Sequence, residues 1–397
     1  MGCATTEAAN TCRCDGCPTR RQRKPMSFGE RMLRSFFLII FSSLVMSAAA
    51  ENKRERCGAE EQIVIAAAGD IILQPEFETQ ARQNGIPYRR LWRAIQPVIQ
   101  GADLAYANIE GPVAVNEATV PAVTASLIEA PSAPPNLDFN CRASLIGDMK
   151  ASGFDIISTA NNHALDRGGV GADLTIDRLQ QGGLAFTGTR KRASRAPWSA
   201  LTRARGFTVA WLACTYGTNG IIDLHHQVLH CFNDTRELLS EIAKLRADPT
   251  IDAVIFVPHW GIENSTVVER RQRDLARSAI EAGAIAVLGT HPHILQRWER
   301  ISASDGRQGL VIYSTGNFIS AQTVPAQRVG IIAILELSKT SGLSKARLSA
   351  ARYVLTQIVD ISGIATVEEA EPTATAPVLP VGERVGIGDL GRRTCGS

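Results

Sequence analysis

Net charge is scarce in this chain. Its 397 residues carry 42 Lys/Arg against 39 Asp/Glu, a net charge of only +3. Residues 1–50 alone hold seven Lys/Arg and three Asp/Glu, which leaves the remainder near −1. A near-neutral body lacks the clustered cations that grip phosphate backbones, so nucleic acid is excluded as a partner. An ordinary spanning helix is missing too: the apolar run FFLIIFSSLVM (36–46) falls short of the roughly 20 residues a bilayer demands. There is no internal repeat. None of the five cysteines beyond residue 50 sits in a nucleophile-like setting, and Cys12, Cys14 and Cys17 are one donor short of a closed zinc site. What is present is globular material, with 45% hydrophobic and 20% charged residues.

The first 50 residues read as a leader. A basic stretch (Arg20, Arg21, Arg23, Lys24, Arg31, Arg34) precedes the apolar run, and Ala48 and Ala50 supply a small-residue cleavage signal before Glu51. That order is the form of a secretory signal peptide, with an uncleaved membrane anchor through 36–46 as the alternative. Met26 or Met32 is the expected start. The expectation is therefore an exported protein of the periplasm or cell surface. An exported chain can oxidise a cysteine pair, and Cys214 with Cys231 is the first candidate among the five beyond the leader.

Short apolar runs alternate with helical spacing through most of the remaining chain. Strands are expected at 62–69, 102–109, 154–159, 184–188, 206–214, 251–261, 284–293 and 309–318. Helices are expected at 90–100, where Pro97 puts the end in doubt, and near 142–152, 171–181, 235–246 and 266–282. The runs 329–337 and 347–358 read as later, antiparallel strands. Such alternation predicts an α/β domain over 62–360, with helices outside its sheet. Residues 112–138 read as a long surface loop or hairpin, and 367–397 as a flexible tail.

Chemistry gathers where these strands end. Asp70 closes the first, Glu110 follows the second in ANIEG, and ANNHALDRG supplies Asn161, Asn162, His163 and Asp166 after the third. His259 ends the run in VPHWGIE, and GTHPHILQ brings His291 and His293. Each alone has a plainer reading: Asp70 as a turn former, Glu110 as a solvated strand end, ANNHALDRG as a hydrogen-bonded turn. Together, five separated strand ends deliver the oxygen and nitrogen donors that a divalent metal accepts, at the strand termini where α/β sheets place their sites. In an extended segment His-x-His would aim both rings to one side. His225, His226 and His230 have no such framing and read as loop residues.

The ordered set GDIIL, ANIEGP, ANNHALDRG, TYGTNG, HWGIE, GTHPHILQ and YSTGNFI resembles the CapA family, from about Gln62 to Leu337. The family is associated with poly-γ-glutamate capsule synthesis and a calcineurin-like metallophosphatase fold. The resemblance implies a four-layer αββα sandwich and a two-metal site (Mn, Fe or Zn) for phosphoester hydrolysis. By motif, Asp70, Glu110, Asn162, His259, His291 and His293 are the implied metal ligands, and His163 assists the leaving group with Asp166 orienting it. Glu263 and Asn317 lie in matching motifs without an assigned role. The usual phosphatase pattern is broken in two places: Ile72 stands where a His is common, and Glu110 where an Asp is. Implied partners are poly-γ-glutamate or another envelope polymer, or its phosphorylated precursor, and a membrane synthesis complex. The alternative is a non-catalytic polymer-binding or export subunit; hydrolysis of the γ-glutamyl amide is a third reading.

Overall fold

The computed structural model describes residues 60–115, 139–340, 345–361, 363–371 and 383–386. The leader, the cysteine cluster at 12–17, most of the 112–138 loop and the last eleven residues lie outside them. Among the described residues, fifteen strands form two sheets. In chain order they are β1 (Glu60–Ile71), β2 (Leu104–Ile109), β3 (Ile156–Ser158), β4 (Ala185–Thr187), β5 (Ala200–Ala204), β6 (Phe207–Thr215), β7 (Ala253–His259) and β8 (Ala286–Leu288). Then follow β9 (Trp298–Ser302), β10 (Gln308–Ile312), β11 (Asn317–Ile319), β12 (Val329–Thr340), β13 (Arg347–Ile361), β14 (Ile364–Glu369) and β15 (Glu383–Arg384). The helices are α1 (Pro75–Gln83), α2 (Gln96–Gly101), α3 (Ser144–Ser152), α4 (Gly168–Gln181), α5 (Thr235–Ala247) and α6 (Arg270–Ala282).

The first sheet runs β14-β13-β12-β1-β2-β3-β4, with β11 also on β1 and β15 on β13; the second runs β5-β6-β7-β8-β10-β9. Strands β1 to β4 are mutually parallel, as are β6, β7, β8 and β10, because helices carry most of the connections between them. The late strands β12 and β13 are antiparallel, as their patterning predicts.

Alternation along single strands defines the layers. In β1, Ile63, Ile65 and Ala67 face the other sheet, while Ala66 and Ala68 face helices. In β6, Val209, Trp211 and Ala213 point inward, while Ala210, Leu212 and Cys214 meet the helix side. The side chains of α3 and of the 88–101 segment cover the first sheet, and those of α5 and α6 cover the second. The order is helix, sheet, sheet, helix, the αββα sandwich expected. Strands buried on both faces explain the near-continuous apolar runs.

Several expectations change. Pro97 lies in the first turn of α2 rather than at a helix end, where its missing N–H costs nothing; short 3₁₀ turns at 88–90 and 93–95 precede it. The run 309–318 is two strands, β10 and β11, in different sheets. Gly316, at φ 69°, makes the turn between them. The tail expected from Val367 is partly strand, since β14 reaches Glu369 and β15 pairs with β13. Cys214 and Cys231 form the expected disulfide, with Cα atoms 5.0 Å apart; Cys141 is a buried free thiol. No described helix is long and apolar enough to cross a membrane.

Trp211 anchors the inter-sheet layer, stacked on Tyr106 with ring centroids 5.4 Å apart and donating to Thr202 Oγ1 at 2.8 Å. Trp211→Ala should destabilise the chain by about 3–5 kcal/mol, read from the midpoint of denaturant unfolding; a loss under about 1 kcal/mol would mean the two sheets are not packed as described.

Candidate metal centre

The carboxyl ends of the parallel strands from both sheets converge. Sheet one brings Asp70, Glu110 and the Asn161–Asp166 turn; sheet two brings His259 and the loop after β8. The approach is close. A Cβ on Gly69 would lie 1.9 Å from the Gly316 carbonyl oxygen, and one on Gly289 would lie 2.1 Å from that of Tyr313. Glycine at both positions lets the two backbones meet beside the cluster.

Two groups of donors form, each with its ligand atoms within 4.8 Å of one another: Asp70, Glu110 and His259, and Glu263, His291 and His293. All but the exposed Glu263 are buried. The groups adjoin. His291 donates its backbone N–H to Asp70 Oδ2 at 3.1 Å, and His293 Nε2 lies 3.7 Å from Glu110 Oε1. Asn162 Oδ1 meets His259 Nε2 at 2.8 Å, so every ligand named from sequence reaches this one pocket. Asn161 does other work. Its amide donates to the Ile109 carbonyl at 2.6 Å and accepts from Gly111 N–H at 3.2 Å, holding the turn that carries Glu110.

His291 and His293 are not in an extended segment. β8 ends at Leu288, and the two residues have φ values of 96° and 60°. A left-handed turn, rather than strand alternation, brings the rings to the pocket. Asn317 fixes one of them. Its Nδ2 is ringed by acceptors, Gln322 Oε1 at 2.6 Å, the Gln327 carbonyl at 2.9 Å and Ser320 Oγ at 3.3 Å. Its Oδ1 must then face His293 Nδ1, 3.1 Å away, which donates to it and leaves Nε2 for the cluster.

Sequence reasoning passed over Asn108, Thr290 and Asn219. Asn108 donates to Asp70 Oδ1 at 2.7 Å, Thr290 Oγ1 sits 2.9 Å from His259 Nδ1, and Asn219 Oδ1 accepts from Asn162 at 3.2 Å. Their signal was position alone, since each sits in or beside a motif already noted. The three remaining histidines stay outside both donor groups; His230 pairs with Asp234 at 3.7 Å and His226 packs edge-on against Trp198.

His163 forms a unit of its own at the rim. Its Nδ1 lies 2.7 Å from Asp166 Oδ2, which also accepts the Phe139 N–H at 3.1 Å. The Phe139 ring packs against the imidazole at 4.1 Å. Nε2 is left 3.9 Å from Glu110 Oε1 and 3.5 Å from Asn219 Nδ2.

Burial sets the electrostatics. It pushes the Glu110 carboxyl well above its ordinary range, against the pull of His293 and with help from Asp70. Burial and the neighbouring imidazoles hold His259 and His291 well below theirs. For His293 burial is outweighed by Glu110 and Asp70, which raise its pKa to about 9. Glu110 Oε2 and His291 Nδ1 are buried with no hydrogen-bond partner. An unsatisfied carboxylate oxygen and an unsatisfied ring nitrogen in one enclosed cluster are costly unless a cation takes them. The residues fit divalent metal, and the mixed imidazole, carboxylate and amide donors suit Mn, Fe or Zn.

A family model described as bacterial capsule synthesis protein PGA_cap matches residues 64–322. The chain belongs to the PGA_cap family. It is similar to the capsule biosynthesis protein CapA of Bacillus anthracis, 26% identical over 66% of this chain and 61% of that protein. It therefore spans about three fifths of that relative's length. It is also similar to the PGA biosynthesis protein CapA of Bacillus subtilis, 24% identical over 77% and 75% of the two chains. Among solved structures, the NAD nucleotidase of Haemophilus influenzae aligns with a TM-score of 0.43 at 9% identity, covering 79% of this PGA_cap chain and 54% of that one.

Metal would displace the proton on His293 and require the raised Glu110 carboxyl to ionise, so affinity should rise as pH climbs from about 7 toward about 9. Titration at several pH values, with proton release followed in weak buffer, measures this; affinity independent of pH would remove His293 from the ligand set. His291→Ala should leave the fold intact and cut metal content in elemental analysis by at least one ion per chain.

Proposed function

We propose that this PGA_cap protein is an exported, metal-dependent phosphoester hydrolase acting in the synthesis of capsule or another envelope polymer. The observation that carries this reading is the enclosed donor cluster with the His163–Asp166 pair at its rim. Family membership supports the capsule setting. The substrate in this reading is poly-γ-glutamate, a related envelope polymer or its phosphorylated precursor, handled beside a membrane synthesis complex. Export is supported by the basic, apolar, small-residue order of residues 20–50 and by the Cys214–Cys231 disulfide, a bond kept in oxidising compartments.

Divalent cations held by Asp70, Glu110, Asn162, His259, His291 and His293, with Glu263 at the mouth, would supply Lewis-acid neutralisation of phosphoryl charge. The chain's own residues do the rest. Asp166 accepts the Nδ1 proton of His163 and so fixes the ring with Nε2 toward Glu110. From there Nε2 delivers a proton to a departing oxygen. Phe139 shields the pair from one side, and Asn219 faces the same nitrogen, placed to receive a substrate oxygen beside it. Tyr216 lies over His291 with ring centroids 4.4 Å apart, forming an aromatic wall above the ligands.

The test is His163→Asn in the full chain, assayed on a phosphoester panel alongside metal content. Turnover should fall by about 10²–10⁴ while metal stays bound, the range typical of a lost proton donor. Unchanged turnover would sink the role of His163. A wild-type protein that loads metal and binds polymer yet hydrolyses no phosphoester would instead be an accessory subunit.

A further inference from the structure

Among the described residues, seven large aliphatic side chains stand exposed to solvent, and six of them lie at the metal end of the molecule. Ile222 (77% exposed) and Leu224 (81%) follow Asn219 in the loop after β6. Ile262 and Val267 (70%) bracket Glu263 and Asn264 in the loop after β7. Val324 sits between β11 and β12, and Ile361 closes β13. β13 is antiparallel to β12, and β12 to β1, so Ile361 lies at the end of the sheet that holds Asp70. The seventh, Leu201, pairs with Ala210 on edge strand β5, away from these loops.

Hydrogen bonds join the loops around the mouth. On one side Asn219 Nδ2 lies 3.5 Å from His163 Nε2, and its Oδ1 accepts from Asn162 at 3.2 Å. On the other, Asn264 donates its N–H to the Pro292 carbonyl, between His291 and His293, at 2.9 Å. Its Oδ1 accepts from Gln327 Nε2 at 2.5 Å, and the Gln327 N–H holds the Val324 carbonyl at 2.9 Å. Arg328 then ties this segment to the end of β13 through the Ile358 carbonyl and Asp360, each at 3.0 Å. The exposed aliphatics thus form two lips: 222 and 224 on the His163 side, and 262, 267 and 324 on the His293 side.

A single exposed leucine needs no explanation, but exposed apolar surface gathered round a site mouth marks what that mouth meets. Protein-binding hot spots draw on Trp, Tyr and Arg and use Leu and Val little. Here the six are aliphatic, and residues 216–226, 261–268 and 320–327 contain no Lys or Arg. Short aliphatic groups on separate loops suit acyl chains, which have no fixed shape to match. Without cations in the lips, the driving force is apolar insertion rather than attraction to anionic head groups. We propose that the metal end docks on a lipid bilayer, its two lips dipping among the acyl chains, and that the phosphoester it receives is carried by a membrane lipid. The substrate half rests on the hydrolase reading above; the docking half does not.

All five tryptophans are buried, so only an added surface tryptophan can meet a quencher in lipid. Leu224→Trp and Val324→Trp, one on each lip, and Leu201→Trp as the control are made in the full chain. Each is mixed with phosphatidylcholine vesicles brominated on the acyl chains. The lip reporters should be quenched and the Leu201 reporter should not, with little change up to about 0.5 M salt. Adding Ile262→Ser and Val267→Ser to the Leu224 reporter should raise the lipid needed for half-quenching about tenfold. Quenching of all three alike, of none, or only at low salt overturns the docking; a second copy on the lips would give a dimer in sedimentation with unquenched reporters. For the substrate, the metal-loaded protein is given phosphatidic acid in the vesicles and glycerol 3-phosphate in solution. In either, water adds to phosphorus, the bond to the glycerol oxygen breaks, that oxygen takes the His163 proton, and the proton shed by water restores His163. The lipid should show kcat/KM at least about tenfold higher, and equal rates would overturn the lipid substrate. Turnover of neither would sink the hydrolase reading and the lipid substrate together, while quenching still decides the docking.

Discussion

Two carboxylates with no exposure to water set the terms for everything at one end of this molecule. Burying an ion costs several kcal/mol unless partners answer it, and Asp70 and Glu110 are both fully enclosed. The chain answers in part. Asn108 and the His291 backbone N–H satisfy Asp70, while His293 is held as a cation beside both acids. Glu110 keeps one oxygen unpaired, and His259 and His291 are held neutral, their lone pairs available. The cluster is thus built to be incomplete without added positive charge, which distinguishes it from an ordinary buried ion-pair network.

Its geometry depends on two sheets being brought together at one edge. The crossing from β10 to β11 does this: the chain leaves the second sheet at Ile312, turns at Gly316 and joins β1 of the first sheet. Asp70 donates its N–H to the Gly316 carbonyl at 3.2 Å, and Asn317, the next residue, orients His293. A single turn therefore couples strand pairing to ligand aim.

Much of this was legible in the sequence, for physical reasons. Doubly buried strands leave near-continuous apolar runs, and five of the runs end in donor residues, so Asp70, Glu110, the Asn161–Asn162 pair, His259, His291 and His293 could be grouped without coordinates; singling out Asn162 took the resemblance to the CapA family. The His163–Asp166 pairing followed from its three-residue turn. Other features carry no local signal. Helix α1 buries only Phe77 among its described side chains, so its periodicity is faint. Edge strand β5 buries Thr202 alone. The left-handed backbone at His291 and His293 was invisible because two histidines flanking a proline look extended. That Asn161 staples a turn while Asn162 reaches His259 depends on side-chain direction, which identical neighbours cannot reveal.

The hydrogen bond from His291 to Asp70 joins residues 221 positions apart. No local segment of the nascent chain can assemble the donor set, since it draws on both sheets and on nearly the whole span from β1 to the loop after β8. Closing so long a loop precedes any reward from it. A metal ion bound by the whole donor set would therefore follow the joining of the two sheets, as a lock on a finished fold rather than a nucleus for it, and its stabilisation would appear as slower unfolding.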